Sequence, residues 1–230
     1  MRFSVLSMLF IAAMPLATSH AAGVQIGRTR VIFDANKKEV ALPLINKEDE
    51  LPWLVQSWID TGDGKTRGPF IITPPLFRLD AQKEQNLRIS WAGGALPGDR
   101  ESLFYLNVRT IPGESKDDGD KNVLRLIYKT RLKFFWRPKE LSGTPGENCQ
   151  KLRFTRQGNR LNIINDGSYY SVFDTLNVGG VKISDIDYVA PKNSLALTLK
   201  QAPAGNDVHW RCITDYGNAG KEFTAPLNKS

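Results

Sequence analysis

The chain is poor in the residues on which most protein chemistry is built: of 230 residues, two are cysteine, two histidine and three methionine. His20 falls in an N-terminal apolar segment, so His209 is the imidazole left for the rest of the chain, and no CxxC pair accompanies it. A zinc site therefore lacks ligands. A serine or cysteine nucleophile needs an imidazole oriented by a third group, whereas His209 stands among Val208, Trp210 and Cys212 as a structural or surface residue. Walker, Rossmann, HExxH and EF-hand patterns are absent. Carboxylate pairs such as Asp117-Asp118 lie in polar runs and read as solvated loop charges. No enzyme, cofactor or metal is expected.

Beyond residue 22 no stretch approaches the roughly 20 apolar residues of a membrane span, so stable membrane insertion is not expected. The formal net charge is +7, but the cations are scattered and interleaved with acids, as in KEDE at 47–50 and KDDGDK at 116–121. Nucleic acid is not an expected partner of such a surface.

What is present begins with an export signal over residues 1–22. Arg2 supplies a positive start, Val5 to Ala17 is mostly apolar and carries Pro15, and Ser19 to Ala22 offers small residues before a cut. Cleavage after Ala21 or Ala22 leaves about 208 residues, enough for one large domain or two smaller ones. After export Cys149 and Cys212 are expected to form one bridge closing the second half; two separately buried thiols are the alternative, disfavoured by an oxidising compartment.

Short β-prone runs separated by turn residues fill the remainder. Val24 to Phe33, Glu39 to Ile45, Trp53 to Ile59, Phe70 to Thr73, Gln85 to Trp91, Ser102 to Ile111 and Asn122 to Pro138 read as strands of a sandwich with no helix. Pro43 argues for an edge or a bulge, and Pro74-Pro75 for a strand-switching corner where one bond is a candidate for cis. The last two strands should pair across a charged loop. Lys139 to Asn148, KELSGTPGEN, reads as a linker. Beyond it Leu152 to Phe154, Arg160 to Ile164, Tyr169 to Val178, Leu195 to Leu199, Val208 to Ile213 and Phe223 to Leu227 predict a second, smaller sandwich. The expected domains are 23–140 and 141–230.

The run NVLRLIYKTRLKFFWRP at 122–138 does not fit a simple sandwich strand. Leu124, Leu126 and Tyr128 share one parity while Val123 and Ile127 share the other, so both faces carry apolar groups. The second face marks either a contact between sheets or a surface kept for another chain. Arg131 and Lys133 then place two cations on one face.

Together with GRTRVIF at 27–33, LPWLVQSWI at 51–59, GPFIITPPLFRLD at 68–80, DRESLFYLNVRTIP at 99–112 and TDYG at 214–217, this run resembles, in order, segments of the periplasmic pilus chaperones of the chaperone-usher pathway. The resemblance implies an all-β, L-shaped molecule of two immunoglobulin-like domains, located in the periplasm, that binds, folds and caps pilus subunits and delivers them to an outer-membrane usher. It implies that Arg30 and Lys133 anchor the subunit's C-terminal carboxylate. Leu124, Leu126 and Tyr128 would fill the groove of a subunit lacking its last strand, by β-augmentation. Tyr128 departs from the aliphatic residue expected there. Glu101, Arg137 and Asp215 resemble an interdomain charge network. The short loop from Gly113 to Lys121 is similar to that of chaperones serving rod-forming, adhesin-tipped pili. Self-association of the free protein is the other cover for the exposed strand. The alternative function is an exported fibre subunit or adhesin built from β-sandwiches.

Overall fold

A computed structural model describes residues 23–114 and 123–229; the expected export signal, Asp117-Asp118 and Asn122 lie outside them. The first half contains nine strands: β1 (Val24–Ile26), β2 (Arg30–Asp34), β3 (Glu39–Asn46), β4 (Trp53–Asp60), β5 (Phe70–Thr73), β6 (Leu76–Leu79), β7 (Glu84–Trp91), β8 (Ser102–Pro112) and β9 (Tyr128–Arg137). They form two sheets, in the orders β1-β3-β7-β5 and β2-β9-β8-β4-β6. Between the sheets lies an apolar core that includes Val31, Phe33, Leu42, Val55, Leu87, Leu106 and Phe134.

One expected strand is divided between the sheets, and the expected corner carries the chain across a second time. The stretch from Val24 to Phe33 breaks after Ile26, so that β1 pairs antiparallel with β3 while β2 pairs parallel with β9. Gly27 makes the break. Its N–H donates to Pro43 O at 2.9 Å, and a Cβ at that position would stand 2.5 Å from Pro43 Cγ, which no larger residue tolerates. Pro43 accordingly lies not on an edge strand but within β3, between β1 and β7, at the point where β1 leaves the ladder. The corner is at Pro74-Pro75, as expected, which passes the chain from β5 to β6 and is entered through a cis Thr73–Pro74 bond. β8 and β9 pair antiparallel, from Ser102 opposite Trp136 to Thr110 opposite Tyr128.

The expected linker is not all linker. Pro145–Gln150 forms α1, a six-residue helix started by a capping box: Glu147 N–H donates to the Thr144 hydroxyl and Thr144 N–H to the Glu147 carboxylate, with proline in the first turn. The second half then holds β10 (Arg153–Gln157), β11 (Arg160–Asn165), β12 (Ser171–Val178), β13 (Val181–Lys182), β14 (Tyr188–Val189), β15 (Asn193–Thr198), β16 (Asp207–Ile213), β17 (Ala219–Pro226) and β18 (Asn228–Lys229). Its sheets run β15-β11-β10-β18 and β13-β12-β16-β17, with β14 also paired to β12.

Cys149 on α1 is bonded to Cys212 on β16, inside a second apolar core. Trp210 lies beside that bond, its ring 4.7 Å from Phe154 and its Nε1–H donating to Cys149 O at 2.8 Å. Asn148 is buried next to it and fully employed. Its amide donates to Asn165 Oδ1, Tyr169 O and Ser171 Oγ, and its Oδ1 accepts from Tyr169 N–H. A buried amide with each group satisfied fixes one arrangement of α1 on β11 and β12. Among the described residues no helix is long and apolar enough to cross a membrane.

Candidate functional site

The alternation of β9 divides its side chains between two environments. Leu132, Phe134 and Trp136 enter the core of the first sandwich. Arg131, Lys133, Phe135 and Arg137 lie on the other face, and from Lys133 onward that face meets the second half of the chain. β2 covers β9 only from Lys133, which is opposite Arg30, to Arg137, opposite Asp34. Ahead of Lys133 no described strand occupies that side of β9. The chain thus has an open strand edge whose lower end is closed off by Arg30 and Lys133, side by side.

Leu124 and Leu126 stand in the approach to this edge, outside any strand, because β9 begins only at Tyr128. This corrects the expected strand start at Asn122, and β8 supplies a reason. Gly113 N–H donates to Pro52 O, on the β4 side, so strand alternation turns the Pro112 nitrogen toward β9, where it has no hydrogen to donate. Apolar side chains here remain in solvent, with Leu124 84% and Ile127 60% exposed, and Leu126 and Tyr128 exposed as well. Both parities are exposed, which among the two expectations for the second face excludes a contact between sheets.

Arg30 is buried, and its Nε has no hydrogen-bond partner among the described residues. Burial pulls its pKa down while the negative charges of Asp215, Asp187 and Glu101 push it up, and guanidinium stays cationic throughout. Lys133 Nζ is 2.7 Å from Asp187 Oδ1, a residue of the second half. Arg131 is not part of this pair. It binds the fully buried Asp60 at 2.8 Å and lies 4.1 Å above the Tyr105 ring, at the side of the first sandwich.

The structure brings Glu101, Arg137 and Asp215 together. Arg137 Nε donates to Glu101 Oε1 at 2.8 Å, and its two terminal nitrogens donate to the two oxygens of Asp215 at 2.8 and 2.9 Å. The second Glu101 oxygen accepts from Tyr170 N–H at 2.9 Å. Burial raises the Glu101 carboxyl above the usual carboxylate range, and Arg137 and the Tyr170 amide offset part of that rise. For Arg137 burial acts downward but is outweighed by Asp215 and Glu101, so its pKa is raised. Asp215 is delivered by the TDYG turn, where Gly217 has φ +89° and a Cβ would come 1.9 Å from Thr29 Oγ1. Only glycine allows that turn to close on the first sandwich.

Between the two halves is a cavity of about 300 Å³ whose walls include Arg30, Ile32, Phe135, Tyr170, Phe223 and the Cys149–Cys212 disulfide. Its walls are mostly apolar but also carry the cations Arg30, Arg137 and Lys221 and the carboxylates Glu101 and Asp215. His209 is remote from it, on β16 between Asp207 and Thr224. The residue that sequence reasoning missed is Asp187. In SDID at 184–187 nothing separates it from Asp185, which instead pairs with Lys200 at the surface; only the approach of the two halves distinguishes them.

Two immunoglobulin-like sandwiches in an L-shaped arrangement, with a strand edge left open and a cation pair at its end, define a protein that binds by lending a strand. The chain belongs to the pilus-assembly chaperone family. Residues 23–142 match the model of the pili and flagellar-assembly chaperone PapD N-terminal domain, and residues 147–224 that of the pili assembly chaperone PapD C-terminal domain. The chain is 39% identical to chaperone protein LpfB of Salmonella typhimurium over 223 residues, covering 95% of each chain. It is 40% identical to chaperone protein FimC of Escherichia coli O6:H1 over 220 residues, covering 95% of this chain and 90% of the relative. Among solved structures it superposes on the Salmonella enterica SafA pilin–SafB chaperone complex with a TM-score of 0.81 at 33% identity, covering 91% of this chain and 98% of that one. The Escherichia coli chaperone DraB gives 0.78 at 39% identity, covering 90% and 97%. The chain is a periplasmic, non-catalytic chaperone of pilus assembly. These matches are to chaperones along both halves, which sets aside the fibre subunit or adhesin.

Proposed function

We propose that the chain captures pilus subunits on the open edge of β9 and holds them by their C-terminal carboxylate between Arg30 and Lys133. The observation that carries this is collinearity. A guest strand occupying the track of β2 ahead of Arg30, and running parallel to β9 as β2 does, ends with its C-terminus against the two cations. Two cations in a partly desolvated corner make short, charge-assisted bonds to a carboxylate and set the guest's register. Leu124, Leu126 and Tyr128 then supply the alternating side chains of the strand that the guest lacks, with backbone bonds giving generality and pockets giving fit. Arg137, held by Glu101 and Asp215, keeps the two sandwiches at the angle that forms the corner.

In this reading residues 1–22 direct export, 23–140 form the strand-lending domain and 141–230 the second sandwich. The captured subunit passes to an outer-membrane usher. Release occurs by exchange, when the next subunit's extension replaces the chaperone strand, because no nucleotide-binding motif is present to drive it. The test is periplasmic co-expression of a cognate subunit with the wild-type, Arg30→Ala and Lys133→Ala forms. Each substitution should cost about 2–5 kcal/mol of capture, read as lost soluble complex. Undiminished complex with both variants overturns the anchor.

A further inference from the structure

We infer that Asp187 is a built-in counter-ion that occupies the carboxylate anchor in the free protein and is displaced by the guest's terminus. The inference rests on the anchor proposed above. Arg30 and Lys133 are opposite each other on parallel strands, so two like charges are forced together at the end of the open edge. In the free chain a carboxylate already answers one of them: Asp187 Oδ1 is 2.7 Å from Lys133 Nζ, and its negative charge also acts on Arg30. Asp187 belongs to the second sandwich, so this contact also bridges the two halves.

The placement is not that of a chance surface pair. Asp187 precedes β14, and Asp187 O accepts from Phe173 N–H at 2.9 Å, next to the pairing of Tyr188 with Val172. Tyr188 packs edge-on to Tyr170 at 5.4 Å, and Tyr170 packs on Phe135 of β9 at 5.6 Å. The backbone of Asp187 is therefore held over the anchor by a row of aromatic rings, while its side chain is 57% exposed. A carboxylate so exposed can turn to water at small loss, because ion pairs with one solvated partner are weak.

An arriving carboxylate at this corner exchanges one partner of Lys133 for another and gains a partner for Arg30, whose Nε has none among the described residues. The incoming group is thus selected over water and over neutral termini, but must compete with Asp187. Its arrival also removes one of the charge contacts between the sandwiches and leaves the Arg137 contacts and the Lys192–Asp99 pair in place.

The experiment uses the full mature chain and a synthetic peptide of alternating Val and Thr, made once with a free C-terminal carboxylate and once as the C-terminal amide. Affinities for both are measured by titration calorimetry or fluorescence at low salt. Asp187→Asn should tighten binding of the carboxylate peptide about three- to tenfold and leave the amide unchanged; Asp187→Glu should restore wild-type affinity. In a Lys133→Met background the gain from Asp187→Asn should shrink, because only its action on Arg30 is left. Free-acid preference in the wild type with no gain in Asp187→Asn, or an equal change for both peptides, overturns the counter-ion alone. Equal binding of acid and amide by the wild type overturns the anchor and this inference with it. Amide-proton exchange over 171–189 checks that Asp187→Asn keeps the fold of this segment.

Discussion

Residues 123–128 and 132–136 belong to one alternating run, yet they have opposite fates. In the second segment Leu132, Phe134 and Trp136 are core residues, and even the other parity supplies Phe135, buried against Tyr170. In the first segment Val123, Leu124, Leu126, Ile127 and Tyr128 are all exposed. Apolar content does not separate the two, since both are rich in it. What separates them is the presence of a neighbour: β2 lies alongside from Lys133 onward, and β8 loses a donor at Pro112. The same local chemistry therefore yields stability where a partner exists in the chain, and a binding strand where the partner must come from outside.

The difference is most strongly tested in the buried segment. Phe134→Ala should destabilise the first sandwich by about 3–5 kcal/mol, read from denaturant unfolding, because a fully buried ring is replaced by a cavity. An effect below about 1 kcal/mol would mean that this half of the run is not core.

Next is the end of the run, where the second sandwich is the neighbour. Arg137→Gln leaves Glu101 buried without its cation and should cost about 2 kcal/mol near neutral pH. The pH dependence has a definite sign. Burial already raises the folded-state pKa of Glu101 above the usual carboxylate range, and loss of Arg137 raises it further. A carboxyl with a raised folded pKa contributes stability below the unfolded value and loses it as pH rises through the folded one. The deficit of the variant should therefore shrink toward about pH 4 and be full at about pH 7, in parallel unfolding curves. A deficit that grows on acidification would contradict the burial assigned to Glu101.

Leu126→Glu should have the smallest effect on the fold and a large one on capture. Stability should change by no more than about 0.5 kcal/mol, since the side chain is in solvent already. Soluble complex with a cognate subunit should nevertheless be lost. A variant that unfolds would show that residues 123–128 pack on this chain after all.

Much of this is legible in the sequence. Val24, Trp53, Gln85 and Ser102 begin or lie within strands as alternation and turn residues require, and Pro74-Pro75 does mark a change of sheet. The helix reads as linker because Gly143, Pro145 and Gly146 crowd a short segment, although Thr144-Pro145-Gly146-Glu147 carries the signal of a capping box with proline at its first position. Two things were not legible. Whether Val24 to Phe33 is one strand or two depends on the approach of Pro43 to Gly27, residues that meet only when β3 folds back. Asp187 carries no mark of its own, because its importance lies in reaching Lys133 from the other sandwich.

By itself the sequence determined the β character of both halves, the turns, the scarcity of catalytic groups and the face that each residue of 128–137 shares. Those are consequences of steric and chemical preferences acting over a few residues. Tertiary structure decided what each face meets: core for Phe134, a second sandwich for Arg137, and solvent for Leu124. Burial and pairing are set by groups remote in the chain, and no local pattern states which neighbour will be there.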